Sequence, residues 1–255
     1  MQRDTTYDYV VVGAGSAGAV VASRLTESGK HRVLLLEAGI QGSNFFWSRV
    51  PVGVAKMIDD PAVNWCYSSE PDEGSGGRRI DVPRGKMLGG SSSINGMVYI
   101  RGQAQDYDHW AQLGNRGWSY QDVLPIFKRM ERFDGGSDEF RGRDGVLRVT
   151  HTPRNRVPLL EKMIAAAEQI GLPYNPDQNG ATQEGIGMSQ VTIAKGRRQS
   201  TAFCYLDPAR ARANLMIDPG AMAESLILEG KRCVGVRYSV GGETREARVT
   251  REVIV

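Results

Sequence analysis

The segment Gly13-Ala14-Gly15-Ser16-Ala17-Gly18 constrains the fold more than any other stretch of the chain. It is a G-x-G-x-x-G turn in its required context, with the apolar run Tyr9-Val10-Val11-Val12 before it and Ala17, Val20, Val21 and Leu25 at helical spacing after it, up to Gly29. A second apolar run, Val33-Leu34-Leu35-Leu36, ends at Glu37. Short runs of this kind read as strands buried on both faces, as parallel strands are, so residues 9–37 predict a complete βαβ unit. The three glycines serve different ends. Gly13 permits the tight turn, Gly15 lets the backbone approach a pyrophosphate, and Gly18 lets the helix pack close to the sheet. The helix opens at Ser16 and Ala17, where free N–H groups and the positive end of the helix dipole face the phosphates. Glu37 is placed to accept hydrogen bonds from the ribose hydroxyls of an adenosine, and its charge would repel a 2′-phosphate, which disfavours NADP. NAD and FAD both remain open at this point.

Composition excludes several alternatives. With 255 residues, 40% hydrophobic and 24% charged, the chain has the make-up of an ordinary globular protein. Lys+Arg 32 against Asp+Glu 29 leaves +3, and the basic residues are scattered, a poor footprint for nucleic acid. Cys66, Cys204 and Cys233 are far apart and form no C-x-x-C pair, so neither a disulfide framework nor a zinc site is suggested and a reducing cytoplasm fits. The short polar start, Met1 to Thr6, leaves no room for a secretory signal. The apolar stretches fall far below the roughly 20 residues of a spanning helix, so no transmembrane segment is expected. Peripheral membrane attachment is left open.

Further along, residues 39–96 are rich in Gly, Ser and Pro and read as irregular structure with one short helix. Helical patterns run from Tyr120 to Arg132, with Ser119 and Asp122 at capping-box spacing and Val123, Ile126, Phe127 and Met130 on one face, and from Pro158 to Ile170, with Leu159, Leu160, Met163, Ile164 and Ala167 inward. Strands are expected at Leu215–Ile217, Glu224–Leu228, Cys233–Tyr238 and from Ala247 onward, the last three as a meander with turns at Gly230 and Gly241-Gly242. Arg251 to Val255 reads as the first half of a buried strand.

A second motif follows the βαβ unit: Arg84-Gly85-Lys86-Met87-Leu88-Gly89-Gly90-Ser91-Ser92-Ser93-Ile94-Asn95-Gly96-Met97-Val98-Tyr99-Ile100-Arg101-Gly102. Glycine pairs allow a backbone to lie against a flat ring or a phosphate, while Ser and Asn offer short hydrogen-bonding arms. With the first motif, this loop closely resembles the glucose/methanol/choline (GMC) oxidoreductase family of FAD enzymes, in its choline dehydrogenase-like branch. Asp106-Tyr107-Asp108 with Trp110, Gly117-Trp118-Ser119-Tyr120, Asp177 with Asn179-Gly180, and Gly196-Arg197-Arg198-Gln199-Ser200-Thr201-Ala202 resemble family segments in family order.

The resemblance implies an α/β, Rossmann-like FAD/NAD(P)-binding fold with an inserted α+β substrate domain, truncated at the C-terminal side. The FAD-binding domain would take residues 1–100 and 196–255, and the start of the substrate domain residues 101–195. It implies FAD with its pyrophosphate at Gly13 to Gly18, its ribose at Glu37, and its ring against the loop from Met87 to Val98, with Ala38 among the cofactor-binding residues. Arg84, Leu88, Gly89, Gly90 and Ser91 belong to the same implied set, and Asn95, Gly96, Met97 and Val98 match the segment beside the ring. Trp65 resembles the position just before the lid over the cofactor. Ala223 matches a position that presents backbone groups to the adenine, where valine is usual. Ile94 stands where some relatives carry a histidine linked to the flavin, so dissociable, non-covalent FAD is expected.

Oxidising an alcohol needs a base near the flavin to take the hydroxyl proton. The chain offers only His31, His109 and His151, and none carries a family catalytic motif. The family places its catalytic histidine in the C-terminal half of a chain about twice this length. The expectation is therefore an N-terminal half of an enzyme oxidising a primary alcohol such as choline, inactive alone. A non-catalytic FAD-binding half, partnered by a separate C-terminal chain, is the alternative, and an NAD-binding module is a third reading.

Overall fold

The run Val10-Val11-Val12 is β-branched throughout, which suits a strand packed on both faces. In the computed structural model, which describes residues 6–42, 45–151 and 157–255, it forms the end of strand β1 (Thr6–Val12). Residues 1–5, on which the expectation of a polar start rests, lie outside the described residues. Helix α1 (Ser16–Thr26) and strand β2 (Val33–Glu37) complete the unit. The later strands are β3 (Leu215–Pro219), β4 (Ala221–Glu229), β5 (Arg232–Val240) and β6 (Glu243–Ile254).

These build one six-stranded sheet in the order β3-β2-β1-β6-β5-β4. β3, β2, β1 and β6 run parallel, with Val10 opposite Leu34 on one side and Val253 on the other. β6, β5 and β4 form the expected antiparallel meander. Alternation along the strands explains why both faces are apolar. Val11, Val33 and Leu35 cluster with Ala19 and Ala22 of α1, while Val10, Leu34 and Leu36 cluster with Ala221, Val236, Tyr238 and Ala247 of the meander. Fully burying one such Leu contributes roughly 1.5–3 kcal/mol.

One strand differs from expectation. Arg251 to Val255 does not open a strand; all but Val255 belong to the second half of β6, a 12-residue strand. No Gly or Pro interrupts the chain between Glu243 and Val255, so it runs directly from antiparallel pairing with β5 into parallel pairing with β1. Beyond Arg248, β6 pairs only with β1 among the described residues.

The chain divides into two compact units, one of residues 6–96 with 197–255 and one of the described residues of 97–196. The second unit carries helices α2 (Ala104–Gln112), α3 (Tyr120–Met130) and α4 (Pro158–Gln169) and several two-residue strands. Ser119 and Asp122 cap α3 reciprocally, with Asp122 Oδ2 accepting from the Ser119 N–H at 3.1 Å. The expected inner faces are covered only in part: Val123, Ile164 and Ala167 are buried, whereas Ile126, Leu159 and Met163 are exposed.

Much of this unit's interior is charged. The Glu131 carboxylate accepts from Arg141 Nε at 2.8 Å and Nη2 at 3.0 Å and lies 2.7 Å from Arg101 Nη2. Arg141 reaches on to Asp177 Oδ1 at 2.5 Å and Gln190 Oε1 at 2.9 Å. Burial alone would raise the Glu131 carboxyl, but hydrogen bonds from Arg141 and Gly142 and the charges of Arg101 and Arg141 prevail and hold its pKa below the ordinary value.

Candidate functional site

Three glycines of the first turn have three different physical causes. Gly13 adopts φ +91°, a left-handed conformation that side chains disfavour, while its N–H still pairs with the Leu36 carbonyl at 2.8 Å. Gly18 is fixed by packing, because a Cβ there would lie 2.0 Å from the Gly13 carbonyl oxygen. Gly15 is fixed by neither. It sits at φ −70° and ψ −162°, extended backbone open to any residue, and a Cβ would meet no atom within 4 Å. Neither a contact nor a dihedral among the described residues demands glycine there. Gly15 is also the N-cap of α1, and no side chain caps that terminus. The N–H groups of the first turn, at Ser16, Ala17 and Gly18, therefore have no acceptor within the helix and no capping side chain.

The second loop closes directly on the first. Gly89 N–H donates to the Ala14 carbonyl at 2.8 Å, and a Cβ on Gly90 would lie 2.7 Å from Gly15 Cα. A Cβ on Gly85 would fall 2.2 Å from the Gly90 oxygen, and one on Gly39 would fall 1.8 Å from the Lys86 oxygen. Gly85 and Gly90 of the second motif therefore serve backbone-to-backbone approach within the protein, whereas a Cβ on Gly89 would meet the Ser93 hydroxyl at 2.3 Å. A Cβ on Gly96 would meet no atom within 4 Å.

Asn64 sets the far wall. It is buried, and its Oδ1 accepts from the N–H of Cys66 at 3.1 Å and of Arg84 at 2.8 Å, while Trp65 N–H pairs with the Arg84 carbonyl at 2.9 Å. Trp65 is then held between Tyr67, stacked at 5.8 Å, and Lys86, whose ammonium lies 4.7 Å from its ring centre.

Together these elements enclose a cavity of about 370 Å³. Of the residues singled out by sequence, Gly13, Gly15, Ser16, Glu37 and Ala38 line it from the βαβ unit, Trp65, Arg84, Gly90 and Ser91 from the loop, and Ala223 from β4. Ala17 and Gly18 lie next to it in the first turn of α1. Met87 and Leu88 bury their side chains in the core, and Gly89 is occupied with Ala14. Asn95 ends the turn of 90–93 and is bound by Arg198. Met97 and Val98 fall in the second unit, where the Met97 carbonyl accepts from Thr192 N–H at 2.8 Å and Val98 bridges Val191. Sequence reasoning missed Val12, Leu36, Gly85, Ala221 and Met222, which also line the cavity. The first two were legible, since the carboxyl ends of parallel strands are where such folds bind ligands.

Glu37 is 6% exposed, and both carboxylate oxygens are engaged: Oε2 accepts from Ala14 N–H and Oε1 from Gly39 N–H, each at 2.9 Å. Burial raises its pKa above the ordinary value, and these two backbone hydrogen bonds only partly oppose the rise. Each oxygen keeps a lone pair for a hydroxyl donor. None of the three histidines lines the cavity: His31 packs edge-on to Tyr9, His151 packs edge-on to Phe133, and His109 lies in α2. Among the described residues no group of His, Cys, Asp and Glu could hold a metal ion, and no helix is long and apolar enough to cross a membrane.

A parallel sheet with an uncapped glycine-turn helix at the carboxyl ends of its strands defines a dinucleotide-binding α/β protein of the Rossmann type. Residues 7–255 match the sequence profile described as GMC oxidoreductase, and the chain belongs to that family. It is 45% identical over 258 residues to an oxygen-dependent choline dehydrogenase of Chromohalobacter salexigens, which covers 100% of this chain and 46% of that protein. A protein of the same description from Rhizobium etli is 46% identical over 249 residues, 97% of this chain and 45% of its own length. Among solved structures, pyridoxine 4-oxidase from Mesorbium loti superposes with a TM-score of 0.91 at 31% identity, covering 96% of this chain and 48% of that one. A formate oxidase of Aspergillus oryzae RIB40 gives 0.89 at 25% identity, covering 100% and 46%. The chain spans about half the length of the relatives it matches.

Proposed function

We propose that this chain binds FAD without a covalent link and forms the cofactor-holding part of an enzyme that oxidises a primary alcohol, choline-like, to the aldehyde. The carrying observation is Gly15, whose absence of a side chain is explained by no contact or dihedral within the protein. A pyrophosphate laid against the first turn of α1 explains it. Glu37 would accept the ribose hydroxyls, Ala223 would offer backbone groups to the adenine, and Asn95 and Gly96, followed by Met97 and Val98, would lie beside the ring. Ile94 is 3% exposed and clusters with Met57, Val63 and Met87, so residue 94 offers no nitrogen for a covalent bond. FAD, when bound, accepts a hydride from the alcohol carbon.

The chain's own contribution is to bind and orient the cofactor. The proton of the alcohol must go to a base near the ring; the family resemblance puts that base in the C-terminal half of a longer chain, so the reading assigns it to residues outside this chain and expects the chain alone to be inactive. The C-terminal part would come from the same polypeptide or from a separate one. The test is titration with FAD followed by flavin fluorescence. Saturable quenching by FAD, competed by ADP and weakened in Gly15→Ala, is expected; binding of NAD with none of FAD would overturn the reading.

A further inference from the structure

Residues 63–65 and 84–86 begin as an antiparallel pair. Lys86 N–H donates to the Val63 carbonyl at 2.7 Å and Trp65 N–H to the Arg84 carbonyl at 2.9 Å, with Asn64 opposite Gly85. A regular ladder would return the second bond, from Arg84 N–H to the Trp65 carbonyl. Arg84 N–H donates instead to Asn64 Oδ1 at 2.8 Å, and Cys66 N–H donates to the same oxygen at 3.1 Å. One side-chain oxygen thus stands where a backbone carbonyl would. The pairing resumes in the same register with Tyr67 opposite Val82, and between the two paired stretches Cys66 takes φ +51°.

A left-handed conformation in a residue other than glycine is strained and persists only where its surroundings over-determine it. Asn64 supplies that constraint. It is 3% exposed, and its Nδ2 donates to the Ile58 carbonyl, so a third segment fixes the amide that holds the other two. A local interruption of a ladder also turns side chains away from the regular alternation of the strand. Asn64 itself does not line the cofactor cavity, whereas Trp65, its neighbour in the chain, and Arg84, whose N–H it accepts, both do. Its influence on a ligand there runs through those two residues.

We propose that Asn64 is a positioning residue of the cofactor site. Its Oδ1 diverts the ladder, holds the left-handed turn at Cys66 and so presents Trp65 and Arg84 to the cavity before any ligand arrives. The acceptor oxygen carries this role, and the bond from Nδ2 to Ile58 anchors it. The inference rests on the flavin reading for the identity of the ligand, while the positioning itself is measured without flavin.

Asn64→Asp keeps an acceptor for both N–H groups but sets an oxygen against the Ile58 carbonyl, whereas Asn64→Leu keeps the size and removes the acceptor. Both variants of the full chain should unfold at lower temperature than wild type. Amide hydrogen exchange followed by NMR without flavin should nevertheless separate them: at Arg84 and Cys66 it should be at least about tenfold faster in Asn64→Leu and near wild type in Asn64→Asp. FAD affinity should follow the exchange, falling at least about tenfold in Asn64→Leu and staying within about threefold in Asn64→Asp. Asn64→Ser, whose hydroxyl is one bond shorter and still suits the turn to Cys66, carries the test if Asn64→Leu does not fold; it should speed exchange at Arg84 and weaken FAD. Asn64→Asp losing FAD as fully as Asn64→Leu or Asn64→Ser, or unchanged exchange at Arg84 in all variants, overturns the proposal. Failure of wild type to bind FAD, with the exchange pattern as expected, overturns the flavin reading and supports the positioning role.

Discussion

Gly15 and Gly18 belong to one motif, yet their substitution should have opposite consequences. A methyl group at Gly15 points into open space from an ordinary extended backbone, so Gly15→Ala should change unfolding free energy by no more than about 1 kcal/mol, the worth of an N-cap exchange. On the proposed reading FAD affinity should fall at least tenfold, because the methyl group would take the place proposed for the pyrophosphate. Gly18→Ala drives a Cβ to within 2.0 Å of a backbone oxygen and should instead lose roughly 1–3 kcal/mol of stability, read by urea unfolding without any flavin. Equal destabilisation of both variants would refute the distinction. Glu37 gives a third test. Its folded pKa is raised above the ordinary value of 4.5, so the stability it contributes is present below that value and is lost as pH rises through the folded pKa. The ionised form accepts ribose hydroxyls best, so FAD should bind more tightly as pH rises through the same window. Glu37→Gln should weaken binding roughly tenfold or more and flatten that profile, as loss of a hydrogen bond to a charged group implies. The motif made Gly13, Gly18 and Glu37 legible because each has a fixed role in the turn. It could not reveal that Gly39, Gly85 and Gly90 answer to the protein's own backbone, because such contacts join residues far apart in the chain.

Elements were legible where an apolar period was strong and obscure where it was not. β1, α1 and β2 follow from continuous runs and helical spacing, and the meander follows from glycine turns. α2, Ala104–Gln112, buries no residue at all, and its one non-polar face, Ala104, Tyr107, Trp110 and Ala111, holds no aliphatic residue larger than alanine, so a search for aliphatic periodicity passes over it. Its aromatic residues pack locally instead, Tyr107 on Tyr120 at 6.2 Å and Trp110 on Trp118 at 5.8 Å. The readable signal was Asp106, whose Oδ2 accepts from Gln103 N–H at 2.8 Å, three residues back. The charged interior of the second unit was equally hidden, because a buried Arg and a solvated Arg look alike in sequence. Glu131 is 0% exposed between Arg101 and Arg141, so Glu131→Gln leaves the buried Arg101 without its carboxylate partner and Arg141 with Asp177 alone, and should cost about 3–5 kcal/mol in urea unfolding. Its folded pKa lies below 4.5, so the unfolded chain binds the proton more tightly; this contribution is present above pH 4.5 and is lost as pH falls through the folded value. The stability of Glu131→Gln should therefore lack the acid-side loss that wild type shows.

At the scale of the molecule, the cavity is assembled from stretches that lie far apart in the chain, near residues 12–38, 65–91 and 221–223. β6 enters the sheet beside β1 and closes the arrangement, which is why the segment after residue 196 belongs with the beginning of the chain. That joining is a matter of strand order, and no local pattern encodes strand order. Hydride transfer from an alcohol requires that its hydroxyl proton be taken up, and a positioned base contributes about 10²- to 10⁴-fold to such a step. The groups facing the cavity are glycines, small residues, the apolar Val12, Leu36 and Met222, and Trp65, Arg84 and Glu37, and the Glu37 carboxylate is already committed to two backbone N–H groups. His31 and His151 are held against Tyr9 and Phe133. The chain loaded with FAD should therefore bind the cofactor and still fail to bleach it with choline under anaerobic conditions, at least about 100-fold below a relative of full length. Dithionite should bleach the same sample at once, which separates a missing base from an unreactive flavin. Choline-dependent bleaching at the rate of a full-length relative would place the base within these 255 residues and would make His31, His109 and His151 the first positions to substitute.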